Sequence, residues 1–577
     1  MPAKFDPIRL ELMKNAFAAI ADEMAATVVR TARSSVIKEA MDFSTGLLDP
    51  VGNLVAQGLC LPVHMGSFPP TLATVLEKFA GQIRPGDVYA LNDPYHGGGL
   101  HLPDIFVFRP IFYEDRLLAF AAAIGHQTDI GGRVAGGNAC DNTEIFQEGL
   151  RIPPLRIIDR GKPSDLFFDI LKLNVRVPEM VIGDVNATIA ACIRGERALI
   201  ALAKKHGPDT IASDMANLLD YTEKLARAEF AAFPDGTWEF EDFLDDDGFS
   251  EDPIRLFARV IKKGSEITVD FTGTSRQVKG SINLPIAMTQ SSVYACLRSI
   301  MDPNMPTNSG FMRPIHVIAE AGSITNPVSP APVAARGLTS MRVTEAVWGA
   351  LAKMLPGKVF ACGAQGDFGV TIAGYRAGRP FVLLEFLFGT WGGRPNKDAI
   401  DALSSLAVNY SNTPVEVVEH EQPVRIETYG FRQDSCGPGK FRGGLGLVRE
   451  YRLVGVDEAV LQVRSDRQKF RPYGLAGGHP GANAGNYLCD SHGGKTALPG
   501  KFMRTFRRGE SYRAELAGGG GWGDPFARAA ELVWQDVLDE KISRESAARD
   551  YGVAIGPDGG IDASATERLR SARRAAE

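Results

Sequence analysis

Two apolar runs, residues 105–112 and 117–124, flank the polar break Glu114-Asp115-Arg116. A His-x-x-Asp motif bounds each of them: His101-Leu-Pro-Asp104 precedes the first run and His126-Gln-Thr-Asp129 follows the second. Residue 115 is midway between Asp104 and His126, and also midway between His101 and Asp129. If the break is a hairpin turn, antiparallel pairing of the two runs brings both motifs to the open end of one hairpin. Two imidazoles and two carboxylates would then share one small volume, the donor set of a divalent-metal site with nitrogen and oxygen ligands. The same groups could instead hydrogen-bond in pairs and simply fix the hairpin's end.

The rest of the chain gives this hairpin a large protein around it. With 577 residues, 44% hydrophobic and 23% charged, the chain has material for three or four domains and a sizeable core. Net charge is -6, with acidic and basic residues interspersed, so no basic stripe suggests nucleic acid. Seven scattered cysteines without a CxxC pair argue against a disulfide framework and for a reducing compartment. The N-terminal residues open no signal region, and no apolar run reaches the length of a membrane span. A cytoplasmic protein with no membrane partner is expected.

Periodicity predicts mixed helices and short strands, an α+β chain of several domains. Asp6-Pro7 is a helix-start signal, and the spacing of Ile8, Leu12, Phe17, Ile20, Met24 and Val28 carries that helix to about residue 37. Strand-like pieces flank a turn at 49–53, a helix covers 71–79, and 88–91 is a strand leading into Gly97-Gly98-Gly99. Helical patterns dominate 164–230. The expected regions are 1–235, holding the hairpin; 236–375, with a strand pair around Lys263-Gly264 and helices at 288–301 and 343–354; a β-rich stretch at 376–526; and a helical end at 527–577 whose last dozen residues fray. The 62 glycines cluster, most densely at Gly518 to Gly521, which marks tight turns or close backbone approach.

Four of the nine histidines lie between positions 64 and 126. His, His and carboxylate ligands suit Zn, Mn or Fe(II), and the lack of neighbouring thiolates argues against a structural zinc. Asp93 and His96 are weaker candidates, either orienting the ligands or capping the glycine loop. Cys60 and His64 could pair, although a buried inert cysteine is the blander reading. Gly493-Gly494-Lys495-Thr496 ends like a Walker A loop, but the first glycine would be residue 489, which is Cys; Gly437-Pro-Gly439 fails as a dinucleotide fingerprint at Arg442. If the activity needs ATP, another chain binds it.

Several motifs then occur in order: Asp42-Phe-Ser44, Leu54-Val-Ala-Gln57, His64-Met-Gly66, Asn92-Asp-Pro-Tyr95, the two His-x-x-Asp segments, and Glu148-Gly-Leu-Arg-Ile-Pro-Pro154. Downstream come Gly439-Lys-Phe-Arg-Gly-Gly-Leu-Gly446, Ser465-Asp-Arg467 and Gly518 to Pro525. Together, from about residue 6 to about 555, they resemble the hydantoinase B/oxoprolinase family. The resemblance implies a B-type component that completes hydrolysis of a cyclic amide (a hydantoin, 5-oxoproline or a lactam) after a hydantoinase A-type partner has bound ATP and phosphorylated the substrate. It implies His101, Asp104 and His126 as ligands of a divalent metal. Asp129, added from the hairpin's symmetry, is the expected base, and Asp42, Ser44, His64, Asp93 and His96 are expected behind the ligands or against substrate. The family also holds ketone carboxylase subunits, which leaves that activity open, and a non-catalytic scaffold in the hetero-oligomer is a third possibility.

Overall fold

The computed structural model describes residues 6–58, 61–364, 368–490 and 494–576. Among them are thirteen α-helices and four sheets, antiparallel apart from one strand pair, which bears out a multi-domain α+β chain. None of the helices is long and apolar enough to cross a membrane.

The first sheet holds β1 (Phe43–Leu48), β2 (Leu54–Gln57), β3 (Val88–Leu91), β4 (Asp104–Tyr113), β5 (Arg116–His126), β6 (Leu155–Asp159) and β7 (Lys162–Pro163), in the order β2-β1-β5-β4-β3-β6-β7. The hairpin forms as the spacing requires. Asp104 pairs with His126 and Ile111 with Ala119, both pairs centred on residue 115, before a bulge tightens the turn so that Tyr113 meets Arg116. Alternation along β4 and β5 sends Phe106, Phe108, Phe120, Ala122 and Ile124 to one side, and Ile105, Val107, Ala121 and Ala123 to the other. The small alanines let helices Pro7–Thr31 and Pro178–His206 lie close on that second side. Gly195 sits in the middle of the latter helix for the same reason: a Cβ there would come 2.4 Å from Met24 Sδ.

The second sheet, β8 (Gly236–Leu244), β9 (Ile254–Lys263), β10 (Glu266–Asp270) and β11 (Ile315–Ile318), shares a core with the first sheet's Phe106/Phe108 side. Helices Ile286–Ser299 and Gly337–Met354 fill that core. The remaining strands are β12 (Phe368–Arg376), β13 (Arg379–Leu387), β14 (Val424–Phe431), β15 (Leu447–Leu453), β16 (Glu458–Arg464), β17 (Gly485–Cys489), β18 (Lys495–Leu498), β19 (Lys501–Arg507) and β20 (Ser511–Glu515). They make a sheet β13-β12-β16-β19 and a sheet β14-β15-β20-β17-β18, packed on each other.

Gly518 to Gly521 runs beyond β20 as an extended rod. Its amides donate in turn to Ala482 O, Gly444 O, Cys362 O and His479 O, so the fourth returns to the segment met by the first. Side chains have no room in it: a Cβ on Gly519 would lie 2.1 Å from Trp391 O, and one on Gly443 2.0 Å from Gly519 O.

Buried charges tie the second sheet to this region. Arg342, on helix Gly337–Met354, reaches Asp466 at 2.6 Å and Asp242 at 3.5 Å, and Arg467 reaches Asp242 at 2.8 Å. Glu345 is buried beside them with Oε1 unpartnered, and burial outweighs Arg467 to push its pKa up to about 7.

Some elements differ from the sequence expectation. The first helix stops at Thr31 because Asp184 takes the amides of Arg33 and Ser34, and Ser34 then caps a separate short helix, Ser35–Lys38. The helices expected at 71–79 and 343–354 begin earlier, at Phe68 and Gly337. The frayed end is a helix, Ala563–Ala576, started by Asp562 on the Ala565 amide and held down by Arg570 on Arg528 O.

Two measurements check this description. Gly519→Ala should cost about 3 kcal/mol or more, as severe overpacking does, while Gly430→Ala, with open space around it, should change stability by less than about 0.5 kcal/mol; thermal melts compare them. Glu345 has its pKa raised on folding, so its contribution is intact below 4.5 and is lost as pH rises through about 7. Glu345→Gln should therefore gain on the wild type across that window, by up to about 3 kcal/mol, and a melting series from pH 4 to 8 reads the crossover.

Candidate metal centre

Three neighbouring strands deliver the first groups. Asp104 opens β4 directly opposite His126 at the end of β5, and the β1–β5 register, Phe43 against Gly125, sets Asp42 on the far side of His126. The His126 amide donates to Asp42 O at 3.1 Å. His101 arrives by a tight turn in which the Asp104 amide donates back to His101 O at 3.1 Å. His64, in the short 3-10 turn Pro62–His64, completes the cluster. Donor atoms of His101, Asp104 and His126 lie within 4.8 Å of one another, as do those of Asp42, His64 and Asp104, and all five residues are buried.

The hydrogen bonds fix what each group can do. His101 Nδ1 is 3.0 Å from Ala334 O. A carbonyl only accepts, so Nδ1 carries the proton and Nε2 offers a lone pair. That lone pair is 3.3 Å from Asp104 Oδ1, yet neither atom has a hydrogen-bond partner. Arg336 takes the other carboxylate oxygen, Oδ2, at 2.5 Å. Both ring nitrogens of His126 are likewise unpartnered, with the ring held between His101, 5.0 Å between centroids, and the edge of Phe386 at 5.4 Å. Ser44 Oγ is 2.9 Å from His64 Nδ1 and accepts from the Leu61 amide.

Burial pushes the pKa of His101 and His64 down to about 4, and that of His126 well below its usual value. For Asp104 burial works the other way, but the Arg336 guanidinium on its Oδ2 holds the carboxylate ionised. Neutral imidazole nitrogens and a carboxylate oxygen thus face each other without a proton between them. An unpartnered buried polar group costs about 1–3 kcal/mol, and this site has four such atoms on three residues. A divalent cation resolves three of them, one nitrogen of the neutral His126 ring keeping its proton, so the donors present fit one.

Of the other expected residues, Asp42, Ser44 and His64 do come together at the centre. Asp129 does not. Its oxygens accept from the amides of Gly131, Gly136 and Arg176 and from the Arg176 guanidinium at 3.0 Å. The pairing arithmetic that holds for Asp104 and His126 stops at the strand ends. Beyond Gln127, whose amide donates to Pro103 O, the chain turns away through Gly131 and Gly132, both at φ +81°. Asp129 is a loop anchor, which corrects its expected place as the base at this site. Asp93 caps the Tyr95 and His96 amides and pairs with Arg151 at 2.6 Å, while the His96 ring is exposed; neither joins the cluster. Cys60 lies outside the described residues, as does Gly493; Lys495 and Thr496 sit in β18 rather than before a helix, as a phosphate loop would need.

Arg336 is not legible as a site residue, since no local pattern marks a position 232 residues from Asp104. Removing it should show how the carboxylate is held. Arg336→Met leaves a buried charge uncompensated, and the metal-free protein should lose about 3–5 kcal/mol. Zinc or manganese should restore part of that loss in denaturant melts, whereas an unchanged melt would mean the pair carries little.

Comparisons with known proteins agree with this architecture. The family model described as Hydantoinase B/oxoprolinase matches residues 6–525. The chain is 34% identical over 586 residues to the B component of a putative D-/L-hydantoinase from Pseudomonas sp. strain NS671, covering 98% of each. It is 31% identical to the beta chain of the caprolactamase of Pseudomonas jessenii, over 98% of this chain and 99% of that one. The crystal structure of that ATP-dependent caprolactamase superposes with a TM-score of 0.92 at 30% identity, over 98% of this chain and 100% of the other. The nucleotide-free structure of an acetone carboxylase shares the fold, with a TM-score of 0.90 at 18% identity over 99% and 83%. This chain belongs to the hydantoinase B/oxoprolinase family.

Proposed function

We propose that this chain is the metal-holding subunit of an ATP-dependent hydrolase that opens small cyclic amides such as hydantoins, 5-oxoproline or lactams. The observation that carries the reading is the convergence of His101 Nε2, Asp104 Oδ1 and the His126 ring as buried donors without partners. Family membership and the hydantoinase and caprolactamase components among its relatives supply the reaction class. Those relatives are named as subunits, so a second chain of the hydantoinase A type, carrying ATP, is part of the proposal.

Resonance makes an amide carbon a poor electrophile. Phosphorylation of the amide oxygen by the partner breaks that resonance and readies the carbon for water; the ring C–N bond then breaks as the nitrogen leaves with a proton, and a second water releases phosphate from the resulting acyl phosphate. His101, Asp104 and His126 would hold Zn, Mn or Fe(II). When bound, such an ion supplies Lewis acidity towards an oxygen and lowers the pKa of water. The chain's own groups do the rest. Arg336 keeps Asp104 ionised and turned towards the histidines. The Ala334 carbonyl keeps the proton of His101 on Nδ1 and its lone pair on Nε2. Ser44 and His64, joined by one hydrogen bond beside Asp42, form the polar wall against which the substrate is oriented. The burial of all these groups excludes bulk water from an activated intermediate.

The test is to combine the purified chain with its A-type partner, ATP, and panels of hydantoins, lactams, 5-oxoproline and ketones, with and without bicarbonate. ATP-dependent ring opening that ignores bicarbonate is expected. His101→Ala should abolish metal uptake and lower turnover by about 100-fold or more, beyond what loss of an outer partner does. Bicarbonate-dependent consumption of a ketone without ring opening would replace the hydrolase with a carboxylase. Unchanged metal content and turnover in His101→Ala would remove the site altogether.

A further inference from the structure

A strap of backbone, residues 330–336, lies across the metal centre and supplies both of its outer contacts: the Ala334 carbonyl on His101 and the Arg336 guanidinium on Asp104. The strap has no regular secondary structure of its own, so something else must fix it. The Ile145 amide donates to Pro330 O at 3.0 Å, Tyr95 Oη donates to Ala331 O at 2.6 Å, and the Ala335 amide donates to Ser281 O at 2.8 Å. Asn283 Nδ2 donates to Pro332 O at 3.0 Å, and Glu148 takes the amides that follow. Its Oε1 accepts from the Val333 amide at 2.7 Å and from the Ala334 amide at 2.9 Å, the two groups immediately ahead of the carbonyl that His101 uses.

Glu148 is itself rigidly placed. It closes the 3-10 turn Ile145–Gln147, and the neighbouring backbone is clamped on its far side by the Arg133 amide on Gln147 O and the Leu150 amide on Ile130 O. It is 1% exposed, and its Oε2 has no partner.

We propose that Glu148 is a positioning residue of the metal centre, acting through the Val333 and Ala334 amides to aim the Ala334 carbonyl at His101 and so keep the His101 proton on Nδ1. With that carbonyl in place, Nε2 is a permanent lone-pair donor towards Asp104. Without it, the proton can move to Nε2, where it would point at the carboxylate, satisfy Oδ1 and occupy the space a cation needs. Glu148 thereby selects a metal-ready site over a self-satisfied histidine–aspartate pair. The inference builds on the metal centre proposed above, but its first readout does not require a metal.

The test uses the full chain labelled with 15N-histidine, the His101 ring being assigned by its loss in His101→Gln. Nuclear magnetic resonance of the metal-free protein should show the wild-type ring protonated on Nδ1. Glu148→Gln keeps an acceptor oxygen at the same reach, so it should retain that tautomer and bind zinc and manganese within about threefold of the wild type in chelator competition. Glu148→Ala should shift the ring towards the Nε2–H form and weaken metal binding by about 10–100-fold. Glu148→Asp, one methylene short, should fall between and serves where the alanine variant does not fold. A purely structural brace predicts something else: lower melting temperatures with the tautomer and metal affinity of the folded protein unchanged. That outcome overturns the inference. A tautomer that moves in a protein whose wild type binds neither ion would leave Glu148 in its role and remove the metal.

Discussion

Asp104 is an ionised carboxylate with no exposure to water, and the surrounding structure depends on how that charge is compensated. Taking a carboxylate out of water costs several kcal/mol even after relaxation, so the fold has to bring a partner to it. Arg336 does this for one oxygen. The other oxygen is left facing neutral imidazoles, which supply no charge. The charge is therefore balanced within the polypeptide, while Oδ1 and the facing imidazole nitrogen are left without a partner, where the proposed cation would sit.

Bringing Arg336 there has consequences far along the chain. It stands at the start of helix Gly337–Met354, whose next turns carry Arg342 and Glu345 into the charge network with Asp242, Asp466 and Arg467. One helix thus links the candidate metal centre to the seam between the second sheet and the glycine-rich region. That region in turn holds Gly520 against Cys362 O and places Phe386, on β13, against His126. The glycine rod needs backbone to meet backbone on every side, which is why substitutions there have nowhere to go. Rigidity at the site is inherited from packing tens of residues away in sequence.

This also explains what can be read from residues alone. A hairpin's register follows from its turn, so the meeting of Asp104 and His126 is arithmetic, and the apolar runs mark β4 and β5 within a residue or two. The same arithmetic fails for Asp129 because pairing ends where the strands end, and its carboxylate is taken by loop amides and by Arg176. Asp42, Ser44 and His64 are legible as candidates from motif order, but the β1–β5 register that seats Asp42 beside His126 is not. Arg336 and the role of Glu148 are invisible, since both act across more than 180 residues. The glycine clusters announce close approach without saying that they approach one another. The C-terminal helix is hidden by its polar composition; its stability comes from docking on Arg528 and Phe526.

Charge accounting distinguishes a centre built to act on a substrate from one built to hold a fold. Structural zinc sites usually surround the ion with four ligands, often thiolates that cancel its charge. Here the three proposed ligands are two neutral imidazoles and a carboxylate already paired with Arg336, with the Asp42 carboxylate beside them. A divalent ion held by His101, Asp104 and His126 would keep part of its positive charge within a water-excluded space, where electrostatic interactions are strong. Under the proposed function such a site would favour an anionic guest, as a ring bearing a phosphoryl group would be. The Asp104–Arg336 pair, which at first sight would compete with a metal for the carboxylate, would then leave that charge available.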